Sequence, residues 1–299
     1  MIQYDPHHWG SHLFDIRGSM VREIIWRVTT CVAWAAFVVV VHNTWLPKFE
    51  VPTTVHTLTG VALSLLLVFR TNASYDRFWE GRKMWGAIIN ESRNLGRAAS
   101  VVLRSAPRHL ESVVYWTIAF SYSAMNELRG KEGLGPIAEK LPPKEVQSAI
   151  AAHQTPLAVA RRITYHLESA RASGIISDVV FASLDANVQQ LIDYIGACQR
   201  IHRTPLPFAY VVHLRRALIL YCFSLPIALV KDFGYWTILW TLFVAYVFAG
   251  IEEIGVEIED PFGEDENDLP VDGFCHTIES NLLELLGEPV EAPLPSEAE

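Results

Sequence analysis

From Thr53 to Gly86 the chain reads TTVHTLTGVALSLLLVFRTNASYDRFWEGRKMWG, an apolar run that passes at Arg70 into a stretch dense in Asn, Asp, Arg, Tyr and Trp. No proline or glycine breaks the join. A segment of this kind is one helix that leaves an apolar medium and enters water. Its first half, Val55 to Phe69, has only Thr, Ser, Gly and one His as polar content, which suits helix packing or a lined pore inside a bilayer. Its second half cannot sit in lipid. Tyr75, Arg77, Phe78, Trp79, Arg82, Lys83 and Trp85 suit a membrane interface that continues into packed soluble helix.

The rest of the chain fits a protein with both membrane and soluble parts. It is 51% hydrophobic over 299 residues, with a formal charge of −9. That balance excludes nucleic acid as a partner, because phosphate neutralisation needs a concentrated basic face. Cys31, Cys198, Cys222 and Cys275 are widely spaced with no CxxC pair, and read as small buried apolar residues. The start, MIQYDPHHWGSHLFDIRGSM, does not have the pattern of a signal peptide, so the mature chain is expected to begin near Met1.

Three further apolar runs accompany the first. Val28 to Leu46, bracketed by Trp26 and Trp45, is long enough to cross a bilayer core, and Pro47, Glu50 and Pro52 close it with a short loop. After Pro207 come FAYVVHLRRALILYCFSLPIALV and, past a KDFG reversal, an uncharged run from Phe233 to Ile251. Pro226 would kink the earlier of these two. Between Arg70 and Leu206 no run reaches membrane length. Breaks at Pro107, Gly130 to Pro136, Pro142, Pro143, Pro156 and Gly174 leave about five helices. The predicted division is residues 1–81, an N-terminal arm with membrane helices one and two (about 26–46 and 53–79), then 82–206, a cytosolic helical region. Residues 207–251 hold membrane helices three and four, and 252–299 an acidic segment, an amphipathic helix and a disordered tail.

Orientation follows from the basic residues at the span ends. Arg17, Arg22 and Arg27 precede the first span, Arg70, Arg77, Arg82 and Lys83 follow the second, and Arg200, Arg203, Arg215 and Arg216 lie before or at the start of the third. The opposite loops hold only Lys48 and Lys231, which puts both termini and the soluble region in the cytoplasm.

A bundle of four helices fills its centre with side chains, so a chain of this kind conducts only as a ring in which one helix per subunit lines the axis. On the second span, Thr54, Leu58, Ala62 and Leu65 or Leu66 follow helical spacing. The stripe reads either as a pore lining whose apolar ring gates by dewetting or as helix-packing surface, and periodicity alone leaves both open. Arg70, with no acidic residue within one turn, reads as a snorkelling interfacial anchor or as the marker of the junction. Asp76, Arg77, Glu80 and Lys83 read as a structural charge network, with Glu80 and Lys83 paired at i, i+3. His7, His8 and His12 lack acidic or thiol partners at ligand spacing. The cluster Glu257, Asp260, Glu264, Asp265, Glu266 and Asp268 offers oxygen ligands of the type calcium uses, although it lacks the EF-hand spacing and by composition reads first as a solvated acidic loop.

No phosphate loop, GxSxG or HExxH is present, so no enzyme is expected. The intramembrane ionisable residues are mainly His42, His56 and His213, with no paired carboxylates and no internal repeat, which disfavours a proton-coupled transporter. A secondary transporter and a non-conducting membrane scaffold stand as the rival readings.

Four motifs together resemble one family: RGS at 17–19, FRTNASYDRFWEGRKMWG at 69–86, PLPFAYVVHLRR at 205–216 and DPFGEDEND at 260–268. In order and over nearly the whole chain they are similar to the bacterial branch of the bestrophins, with Arg70, Asn72, Tyr75, Asp76, Arg77, Trp79, Glu80 and Arg82 forming the signature. The resemblance implies an all-α homopentameric channel of the inner membrane for small monovalent ions. Each subunit would have four membrane helices and a cytosolic helical region through which the pore continues. It places the neck near Thr54, Leu58 and Ala62, with Val55, Leu65 and Leu66 next in register, where the family prefers bulky Ile and Phe. A cytosolic constriction is implied near Val179. Glu257, Asp260, Asp265 and Asp268, with a backbone carbonyl near Ile2, match the calcium clasp of animal members. The likeness to the bacterial branch implies no dependence on calcium, so no cofactor is required and calcium binding stays an open alternative. The implied selectivity leans toward cations, in keeping with the acidic balance, with a chloride channel of the same architecture as the alternative.

Overall fold

The computed structural model describes residues 20–45 and 51–288. Met1, Ile2, the histidines at 7, 8 and 12, RGS at 17–19 and the Pro and Glu tail lie outside the described residues. All regular elements among those described are helical, and the chain divides into two compact units whose boundaries fall at 78/79, 204/205 and 260/261. Residues 252–260 therefore group with the apolar helices.

The first unit takes in residues 20–45, 51–78 and 205–260. It is built from α1 (Val21–Thr44), the start of α2 (Thr53–Val102), α7 (Phe208–Phe233) and α8 (Thr237–Glu257). Three helical stretches are long and apolar enough to cross a membrane: α1, part of α2, and 208–257, the last interrupted by a 3₁₀ turn at Gly234–Trp236. That turn starts at Gly234, whose φ of 52° lies in the left-handed region glycine enters at little cost. From there α8 returns against α7. Pro226 sits within α7, and the helix continues through it.

In α1 the buried face is Ile24, Val28, Cys31, Ala35 and Val39, a repeat of three and four residues that packs on α7 and α8. Hydroxyls in lipid need internal acceptors. Thr29, Thr30, Thr44, Thr59 and Ser64 each donate to the carbonyl four residues back, at 2.7–2.9 Å.

The second unit comprises 79–204 and 261–288. It holds the end of α2, α3 (Pro107–Leu128), a 3₁₀ turn (Pro136–Lys140), α4 (Pro143–Ile150), α5 (Thr155–Ala172), α6 (Asp178–Arg203) and α9 (Val271–Leu286). The central helix is α3, buried almost all round from Val113 to Met125 and packed on α5, α6 and α9. α9 lays Val271, Cys275, Ile278 and Leu282 on the core. A Cβ at Gly96 of α2 would fall inside contact distance of Leu282, so glycine lets the two backbones approach. All four cysteines are buried and unlinked.

Candidate pore helix and its charged clamp

The orientation of α2 is set by what its buried face touches. Leu63 and Leu67 form one cluster with Leu214 and Leu218 of α7, and Gly60 lies beneath Tyr221, whose Oη is 2.7 Å from where a Cβ would be. The Tyr210 hydroxyl donates to the Leu66 carbonyl at 2.8 Å, and His56 Nε2 meets Ser224 Oγ at 2.9 Å. With Gly60, Leu63, Leu67, Arg70 and Ser74 turned inward, the opposite face is left uncovered among the described residues. Thr54, Leu58, Ala62 and Leu65 are all exposed, Leu58 to 68%, and Leu66 is half-buried. Four predicted neck positions thus share one uncovered stripe. Leu66 belongs to the flank.

Arg70 corrects the reading of that residue as a snorkelling anchor. It is 1% exposed, and its Nη1 donates to Glu252 Oε1 at 2.6 Å. The same carboxylate accepts from Arg215 Nε at 2.8 Å and from Arg27 Nη1 at 2.9 Å, while Arg27 Nη2 reaches Glu253 at 2.5 Å. Glu259 stands 3.9 Å from Arg70 Nη2. One buried carboxylate, Glu252 at 3% exposure, therefore ties together guanidiniums from α1, α2 and α7. A charge this deep is tolerated only because it is paired and hydrogen-bonded on several sides. One turn further along α2, Ser74 donates to the Gly255 carbonyl at 2.7 Å and Arg77 Nε to the Glu259 carbonyl at 3.0 Å.

Glu252 and Glu253 are adjacent carboxylates just past the uncharged run that ends at Ile251, and they continue α8. The signal was present: AGIEEIG places two adjacent glutamates at the end of an uncharged run, and asking what neutralises Arg70 leads to them. The remaining signature residues divide. Asn72, Tyr75 and Asp76 are exposed. Glu80 pairs with Arg200 at 2.8 Å rather than with Lys83, whose Nζ lies over the Trp79 ring at 5.7 Å. Arg82 stacks on Phe274, 4.8 Å from the ring centroid. Val179, in the first turn of α6, is 79% exposed.

The acidic segment is a pinned loop. Phe262 is buried, its carbonyl accepts from Arg129 Nε at 3.3 Å, and Leu269 N returns to the Pro261 carbonyl at 3.1 Å. Asp268 is buried and caps the turn by accepting from Asp265 N at 2.8 Å. Arg129 forks onto Asp272 at 2.8 and 3.0 Å, and this bond holds the Asp272 carboxyl below the usual carboxylate range. Lys131 does the same to Glu264. Glu257 and Asp260 lie at and just past the end of α8. No group of three or more acidic, His or Cys side chains converges among the described residues.

An all-helical chain whose apolar helices reach membrane length and are tied together by a buried charge cluster belongs to the class of integral membrane proteins. The profile of the bacterial and fungal bestrophin proteins matches residues 1–284. A voltage-dependent anion channel-forming protein of Nostoc sp. is 36% identical over 283 residues, covering 93% of this chain and 92% of that one. One from Escherichia coli K12 is 31% identical over 290 residues, with 96% and 95% covered. A bacterial bestrophin homologue from Klebsiella pneumoniae superposes with a TM-score of 0.85 at 31% identity, covering 89% of this chain and 99% of that one. The chain belongs to the bestrophin family, in its bacterial and fungal branch.

Proposed function

We propose that this chain is the subunit of a homopentameric channel that passes small monovalent anions down their gradient across the inner membrane, with four membrane helices per subunit and both termini in the cytoplasm. The observation that carries the reading is the α2 stripe. Thr54, Leu58, Ala62 and Leu65 are apolar or weakly polar, in register, and exposed among the described residues. The opposite face is locked to α7 and to the Arg70 clamp. In a ring, such a stripe forms successive collars that wet or dewet as the gate opens and closes. Val179 is the proposed second collar, in the cytosolic part.

The sign of the ion departs from the expectation based on overall charge. A net −9 favours cations only if it reaches the permeation path. The stripe Thr54, Leu58, Ala62 and Leu65 itself carries no charge, so the overall sum does not set the sign there. Relatives that align over nearly their full length carry the name anion channel-forming protein, which favours chloride-type ions here. Calcium is proposed to be dispensable.

Purified protein should run as a pentamer by mass in detergent and give unitary currents in planar bilayers, unchanged when calcium is chelated. Well-folded pentamers that leave the bilayer silent would defeat the channel reading in favour of a transporter or scaffold.

A further inference from the structure

Within the first unit, α1, α7 and α8 leave a groove of about 650 Å³. Its walls are Cys31, Leu218, Ile219, Phe223, Ala245 and Phe248. Water gains little from such a lining, whereas a hydrocarbon chain gains the full burial of its surface, and the volume falls in the range of sites that enclose a small ligand. The helices that form it are those long and apolar enough to span a membrane, a depth at which an acyl chain can reach it.

One end differs. Arg27, Arg215 and Glu252 stand there with Trp26, which is exposed as an interfacial tryptophan would be. The carboxylate is sunk beneath the guanidiniums: the Arg27 and Arg215 side chains are 43% and 50% exposed, that of Glu252 3%. The charge that faces outward is therefore cationic. Arg27 commits both Nη groups to Glu252 and Glu253, but Arg215 commits only Nε. The two Nη groups of Arg215 have no acceptor among the described residues, and a guanidinium fork in that state is suited to a phosphate.

We propose that this groove holds one acyl chain of an anionic phospholipid, with its phosphodiester bound by Arg215 and assisted by Arg27. Small polar ligands gain less, since beyond the arginines the lining is apolar apart from Thr30 and two thiols. The site ties lipid composition to the cluster that joins α1, α2, α7 and α8, and it stands whether or not the pore selects anions.

The test is native mass spectrometry of the full chain in mild detergent, with phosphatidylglycerol or phosphatidylcholine added in equal amount. The wild type should retain phosphatidylglycerol several-fold over phosphatidylcholine. Arg215→Gln should abolish the preference at unchanged oligomer mass, Arg215→Lys should restore most of it, and Ile219→Trp, which fills the groove, should lower retention of both lipids. Equal retention of the two lipids by the wild type, or a preference that survives Arg215→Gln, would overturn the proposal. An Ile219→Trp variant that loses its oligomer while keeping the lipid preference would also overturn it, by assigning the groove to a contact between subunits.

Discussion

At the scale of single residues the chain turns on Glu252. Three arginines from three helices converge on one carboxylate that is almost wholly buried. Breaking such a cluster by removing its centre leaves buried cations without a partner, which costs about 3–5 kcal/mol where such pairs have been opened. Glu252→Gln should therefore lower the melting temperature of the detergent-solubilised protein far more than Glu253→Gln, whose partner among the described residues is Arg27 alone. Equal shifts would mean that the cluster is not centred as described. The join at Arg70 was legible in the sequence, but its burial was not, because the neutralising groups lie 182 and more residues away. Pairing at that separation leaves no mark in local spacing. A second residue gives a pH signature. Burial lowers the pKa of His166 in α5, while Glu145 opposes the shift and His109 and Arg162 add to it. Its folded-state value lies below the ordinary 6.5, so the unfolded chain binds the proton more readily. The stability it contributes is complete above 6.5 and falls as pH drops toward the lowered value. Thermal melts should show that decline, and His166→Gln should flatten it.

At the scale of elements α2 carries most of what the sequence could convey. Its helical spacing marked out a stripe, yet periodicity alone gives no answer to which face is covered. Gly60, Leu63 and Leu67 settle that by packing under Tyr221, Leu214 and Leu218. Gly60→Ala places a methyl 2.7 Å from Tyr221 Oη, an overpacking that costs on the order of 1–3 kcal/mol. The loss should appear as a lower melting temperature and be relieved in part when Tyr221→Phe is added. On the uncovered face, Leu58→Ala thins a proposed collar, so single-channel conductance or open time should rise; unchanged currents would remove Leu58 from the neck. The acidic segment was read by composition as calcium-type ligands or a solvated loop. Its turn is pinned by Arg129, Lys131 and its own Asp268, and composition does not reveal which oxygens are already taken.

At the scale of the whole molecule, the family and the helical class were legible because four motifs occur in order along the chain, and the comparisons bear them out over 1–284. Selectivity was not legible. Net charge is a sum over all residues, whereas permeation responds to the few that line the path, and the proposed collar positions carry no charge. The measurement that bears most directly on the proposed function is the reversal potential of single channels under a KCl gradient. The account predicts a value displaced toward the chloride equilibrium potential, and displacement toward the potassium equilibrium potential would contradict it.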